Sequence, residues 1–230
     1  VRMIIAEQKP FEEVKELITG ADKVLVVGCG TCVTVCFAGG DKEAGILATS
    51  LRMATRIDGS PQDVTHTTVQ RQCEWEYIDP LEAQIGEADV VLSLGCGIGV
   101  QALAERFPKA IVVPGLNTSF LGLPTEQGVW EERCAACGSC ILGLTGGICP
   151  IARCAKQLLN GPCGGSQGGI CEIGKDTPCA WQLIHDRLES QGRLHLLMDI
   201  QPAKDWSTSR DGGPRRITRE DLRLAAEASE

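Results

Sequence analysis

The segment Ala21-Asp22-Lys23-Val24-Leu25-Val26-Val27-Gly28-Cys29-Gly30 returns further along as Ala88-Asp89-Val90-Val91-Leu92-Ser93-Leu94-Gly95-Cys96-Gly97. Each copy is a short, nearly continuous apolar run that ends in a glycine-flanked cysteine. Runs without alternation suit parallel strands covered on both faces, and the glycines admit a tight turn from strand into helix. Outward from these copies, helical patterns occupy residues 10–20, 41–57 and 100–107, and residues 64–69 and 110–113 supply two more strands. The expected fold over residues 1–128 is α/β: a Rossmann-like parallel sheet of four to five strands with helices on both faces. Asp22 and Asp89 open the two copies and are expected to face solvent and carry no chemistry.

Glycine-rich turns after strands also cradle nucleotides, but neither turn matches that fingerprint. Gly28-Cys29-Gly30-Thr31-Cys32-Val33 lacks the third glycine that lets helix and strand pack closely. Gly95-Cys96-Gly97-Ile98-Gly99 places it one position early, which leaves nucleotide binding the weakest fit. The thiols are more telling. Cys29, Cys32 and Cys36 are spaced so that a loop entering a helix gives three ligands to one centre, and a fourth is then needed. Ligands of open parallel sheets gather outside the carboxyl ends of the strands. Cys96 stands at such an end, and Cys73 follows the 64–69 strand in Arg71-Gln72-Cys73-Glu74. Either closes the site, and the other is a small packing residue.

From residue 117 the chain becomes glycine- and proline-bearing, which places a boundary near Gly128. Eight of the thirteen cysteines follow, in Cys134-Ala-Ala-Cys137-Gly-Ser-Cys140, Cys149-Pro150, Cys154, Cys163, Cys171 and Cys179. Two-residue gaps let consecutive thiolates converge from one loop, and three such cysteines followed by Cys-Pro resemble the way ferredoxin-type segments hold iron–sulfur clusters. Zinc is the competing metal, although a zinc ribbon wants two separated Cys-x2-Cys knuckles and only one is present. Residues 129–182 are therefore expected to form a Cys-rich iron–sulfur domain. Its many glycines let backbone N–H groups approach inorganic sulfur. Within it, residues 152–159 suggest one short helix beside which Lys156 is either an electrostatic partner or a solvated residue. Residues 181–190 suggest a helix with His185 on its surface. Residues 183–230 combine this helical segment with a polar arm, bearing Arg215 and Arg216 after Gly212-Gly213-Pro214, that orders against a partner.

Composition narrows the class. A disulfide framework belongs to small secreted domains, an odd cysteine count forbids complete pairing, and neither a leader-like start nor a membrane-spanning apolar run is evident. A reducing cytoplasm with metal-committed thiolates is the expectation. The formal charge of −8 argues against a phosphate-binding surface, and 4% aromatic residues with Tyr77 as the single tyrosine argue against base stacking. His66, His185 and His195 are the only histidines, which leaves few acid–base candidates, so no catalytic or organic-cofactor residue is assigned. The thiols suffice for two or three [4Fe-4S] clusters, the composition of an electron conduit.

Several strings carry a resemblance. Gly28-Cys29-Gly30-Thr31-Cys32 with Cys36-Phe37-Ala38-Gly39-Gly40, Arg71-Gln72-Cys73-Glu74, Cys96-Gly97-Ile98-Gly99-Val100-Gln101 and Asn117-Thr118 look like the methylenetetrahydrofolate reductase C-terminal-domain family. So do the 134–140 cysteines, Thr145-Gly146-Gly147-Ile148-Cys149-Pro150, Arg153-Cys154-Ala155-Lys156, Leu159-Asn160-Gly161-Pro162-Cys163-Gly164-Gly165 and Lys204-Asp205-Trp206. That family includes the small MetV-type subunit of bacterial methylenetetrahydrofolate reductases, described as iron–sulfur or as zinc-finger-like. The resemblance implies a cytoplasmic partner for a catalytic subunit that carries FMN or FAD. That subunit reduces 5,10-methylenetetrahydrofolate to 5-methyltetrahydrofolate in one-carbon or acetyl-CoA-pathway (Wood-Ljungdahl) metabolism, with a further electron-donor module able to attach.

Overall fold

The two echoing segments are neighbouring parallel strands. The computed structural model describes residues 4–219 and Asp221, and in it the copies become β2 (Lys23–Cys29) and β4 (Val90–Ser93), paired from Val24 opposite Val90 to Val27 opposite Ser93. On the other side of β2 lies β3 (Asp63–Val69), from Lys23 opposite Asp63 to Cys29 opposite Val69, and β5 (Val112–Pro114) pairs with β4. The sheet is four-stranded and parallel throughout, in the order β3-β2-β4-β5. The chain leaves β2 toward one edge and returns to β4 on the opposite side. The order therefore reverses between β2 and β4, where ligands of open α/β sheets collect.

The unbroken apolar runs have the cause the sequence suggests, because alternate residues point into two different cores. Val24 and Val26 of β2 and Val90 and Leu92 of β4 pack on one face with Val14 and Ile18 from α1 (Phe11–Leu17) and its end. The same core takes Ala44, Leu47, Ala48 and Leu51 of α3 (Asp41–Ile57), spaced for one helix face. Leu25, Val27 and Val91 point the other way, onto Ile78 of α4 (Trp75–Ile78), Ile85 of α5 (Glu82–Glu87) and Leu103 of α6 (Gly97–Arg106). Each fully buried aliphatic side chain here contributes on the order of 1.5–3 kcal/mol. Helix α6 starts three residues before the expected 100, since the glycines that read as a turn are its first turn. Asp89 faces solvent but also acts structurally: its Oδ2 accepts the N–H groups of Asp22 (2.9 Å) and Lys23 (2.8 Å) and ties the two copies together at their starts.

The glycine- and proline-bearing residues after 116 form a strand that the sequence did not mark: β6 (Leu116–Glu126), which pairs antiparallel with β1 (Ile4–Gln8) and is flanked by β7 (Val129–Cys134) in a second sheet, order β1-β6-β7. Gly128, at φ 83°, makes the hairpin turn between β6 and β7.

The chain divides into two compact units, the first running to Glu132 and the second from Arg133. In the second, α8 (Ala180–Ser190) buries Trp181, Ile184 and Leu188 against Ile148 and Cys179. Trp181 donates its Nε1–H to the Leu158 carbonyl (3.1 Å), and its ring lies so close to Gly161 that a side chain there would collide. The expected 152–159 helix is instead the single turn α7 (Pro150–Arg153), because Pro150 supplies its starting φ. Residues 206–208 and 210–212 of the polar arm form short 3-10 turns; residues 220 and 222–230 of that arm lie outside the described residues.

Candidate metal centre

All thirteen cysteines are free thiols. In the first unit three of them come from three neighbouring strand ends. Cys29 is the last residue of β2, Cys73 stands four residues beyond β3, and Cys96 caps the start of α6 just after β4. What joins these ends is Gln72, a fully buried polar side chain. Its Nε2 donates to the Val27 and Gly28 carbonyls (2.7 and 3.1 Å), beside Cys29, and its Oε1 accepts the Ser93 hydroxyl (2.6 Å). The Ser93 oxygen in turn accepts the N–H of Gly95 (3.1 Å), next to Cys96. Gly95 and Gly99 leave room for this side chain: a Cβ on either would strike Gln72. Sequence reasoning quoted Gln72 within a shared string and assigned it no role.

Desolvation of its sulfur pushes the Cys73 thiol pKa up, and the neighbouring Cys29 and Cys96 sulfurs push it further the same way. Cys96 also sits at the amino end of α6.

Cys32 and Cys36 lie in the loop that follows β2, on α2 (Cys32–Val35) and at its end. They are placed differently. Cys36 is buried in the apolar core, and its Sγ–H donates to the Cys32 carbonyl (3.4 Å) and the Ile4 carbonyl (3.5 Å). Burial raises its pKa, with the Ala6 backbone opposing and Cys32 reinforcing the shift. Cys32 is half-buried at the first position of α2.

In the second unit, Cys134, Cys137 and Cys140 sit on a loop that Ala136 (φ 51°) and Gly138 (φ 80°) fold through left-handed conformations. The Ala136 N–H points at Cys134 Sγ (3.3 Å), the amide-to-sulfur contact that steadies a bound thiolate. Residues of the arm close over this loop. Thr208 Oγ1 donates to the Cys137 carbonyl (2.9 Å), Arg215 Nη1 to the Ala136 carbonyl (2.7 Å), and Lys204 Nζ to the Ser139 carbonyl (3.2 Å). Cys149 and Cys154 bracket α7, and Cys163 and Cys171 lie in the glycine-rich stretch before α8. Lys156 is paired with Glu172, whose Oε1 also meets Cys163 (3.9 Å). Cys179 caps α8: burial raises its thiol pKa, but the Gln182 backbone, the Ser166 hydroxyl and the Trp181 backbone outweigh that and leave it lowered, although the helix contacts are looser than a capping hydrogen bond.

Among the described residues no three cysteine sulfurs lie within 4.8 Å of one another; the group of that size is His185, Asp186 and Glu189, with the His185 side chain 47% exposed on α8. Four thiolates on one zinc, each at about 2.3 Å, stand about 3.8 Å apart. A cubane binds its thiolates to four different irons and holds them more widely. The donor set is all sulfur, which fits a cluster in donor type, and among the described residues no three of its sulfurs are close enough to share one zinc ion. No helix among the described residues is long and apolar enough to cross a membrane.

Residues 113–207 match the family model described as methylene-tetrahydrofolate reductase C terminal. This stretch of the chain is similar to that family. The match takes in all eight cysteines of the second unit and Lys204-Asp205-Trp206, and stops short of the five cysteines of the first unit. No curated protein and no solved structure matches the chain. The methylene-tetrahydrofolate reductase relation thus rests on residues 113–132 of the first unit and on the second unit as far as residue 207, with its 134–140 loop.

Proposed function

We propose that this chain is the iron–sulfur electron-transfer subunit of a methylenetetrahydrofolate reductase complex, relaying electrons to the flavin of a separate catalytic subunit. The observation that carries the proposal is a family match centred on a block of eight free thiols. Two or three bound [4Fe-4S] clusters would supply one-electron steps. A flavin on the partner would supply the hydride chemistry that takes 5,10-methylenetetrahydrofolate to 5-methyltetrahydrofolate. This chain's residues hold and shield. Cys134, Cys137, Cys140, Cys149, Cys154, Cys163, Cys171 and Cys179 are the second unit's ligand pool, and the Ala136 amide steadies one sulfur. Thr208 and Arg215 fasten the loop from the arm.

Cys137→Ala tests the role within the assembled complex. The substitution should stop flavin reduction by the physiological donor while dyes that reach the flavin directly still work, because the relay is lost and the folate chemistry lies on the other chain. An assembled, cluster-deficient complex with full donor-driven activity would instead make this chain a zinc- or cluster-stabilised scaffold.

A further inference from the structure

We infer that the first unit's metal centre is held by Cys29, Cys73 and Cys96, one from each of three adjacent strand ends, with Cys32 completing the set, Gln72 as positioning residue and Cys36 outside it. The inference rests on the reading of this chain as a metal-carrying subunit and departs from the simplest reading of the spacing, which makes Cys29, Cys32 and Cys36 one ligand group.

Three observations support it. The order β3-β2-β4 puts Cys29 between the other two ends and places the Cys29 and Cys96 pair at the point where strand order reverses. Gln72 hydrogen-bonds the backbone on either side of that point, through the Val27 and Gly28 carbonyls and through Ser93, and directly precedes Cys73. A buried amide is stable only when its donors and acceptor are met, so this side chain holds the three thiol-bearing turns in one register. Cys36 donates its proton to two carbonyls, contacts that a thiol makes and a metal-bound thiolate does not.

The test uses the full chain, loaded anaerobically with iron and sulfide, with bound iron and zinc counted and reduced-state EPR spectra recorded. Cys73→Ala should lose one centre's metal and its EPR signal. Cys36→Ser, which keeps a donor for the same two carbonyls, should keep both. Gln72→Met, close in volume but without the hydrogen bonds, should shift the signal of the first-unit centre and leave the second unit's signal unchanged. Gln72→Glu, which keeps the acceptor for Ser93, should shift it less. Metal lost from Cys36→Ser, or kept in Cys73→Ala, overturns the ligand set, and an unmoved signal in Gln72→Met overturns the positioning role. If the wild-type chain takes zinc in place of iron, the electron-transfer reading fails, yet zinc loss in the same variants still decides the ligands. A chain that binds neither metal overturns both.

Discussion

Gly39→Ala should loosen the turn that carries the first unit's thiols, and the structure sets the size of the effect. Gly39 lies where the loop after α2 passes β4, and a Cβ there would overlap the Leu94 carbonyl oxygen and press on Leu116 Cδ1 at 3.0 Å. Both neighbours are fixed, the first by the sheet and the second by burial. Relief requires the loop to move away, which breaks the 2.8 Å bond from the Cys29 N–H to the Gly39 carbonyl. Overpacking of this kind costs about 1–3 kcal/mol and the lost bond about 1 kcal/mol, so the local penalty is about 2–4 kcal/mol. Hydrogen exchange followed by mass spectrometry reads that penalty in β2 and β4 without treating the two-unit chain as a single transition. Protection in those peptides should fall about thirtyfold or more. Gly86→Ala is the control: nothing lies within 4 Å of its Cβ position in α5, and alanine there should hold or raise protection, by up to about 1 kcal/mol. Wild-type exchange in Gly39→Ala would refute the argument that backbone contact fixes this turn.

Two further outcomes follow from the second unit. Its buried apolar cluster is small beside the two of the first unit, so metal–thiolate bonds should supply much of its stability. Limited proteolysis of metal-stripped protein should cut first within residues 128–179, and an intact block beside a digested first unit would contradict this. Replacing Arg215 and Thr208 together by alanine should speed exchange in residues 134–140, at about 1 kcal/mol per bond lost, and leave α8 peptides unchanged; uniform exchange across the unit would show that the arm does not secure the loop.

The parallel sheet was legible because its two central strands, β2 and β4, are buried on both faces and so leave unbroken apolar runs, and because α3 shows a clean helical face with acidic residues in its first turn. The second sheet was not. Asn117, Thr118 and Ser119 of β6 are exposed, so no apolar alternation marks the strand, and its pairing with β1 joins residues more than a hundred positions apart. The thiols were legible as ligand types, since the residue itself announces the chemistry. Which thiols meet is a matter of topology. Spacing favours Cys36 with Cys29 and Cys32, whereas in the fold the Cys36 thiol donates to the Cys32 and Ile4 carbonyls, and Cys73 and Cys96 stand on the ends that flank Cys29. Gln72 carries no local signal, because its burial exists only once three separate strand ends surround it.

The central claim, that these thiolates hold iron–sulfur clusters for electron transfer, is tested most directly by assaying iron, acid-labile sulfide and zinc in anaerobically purified protein. The account predicts a brown protein with near-equal iron and sulfide, about eight to twelve of each per chain for two or three cubanes. Stoichiometric zinc with neither iron nor sulfide would contradict it.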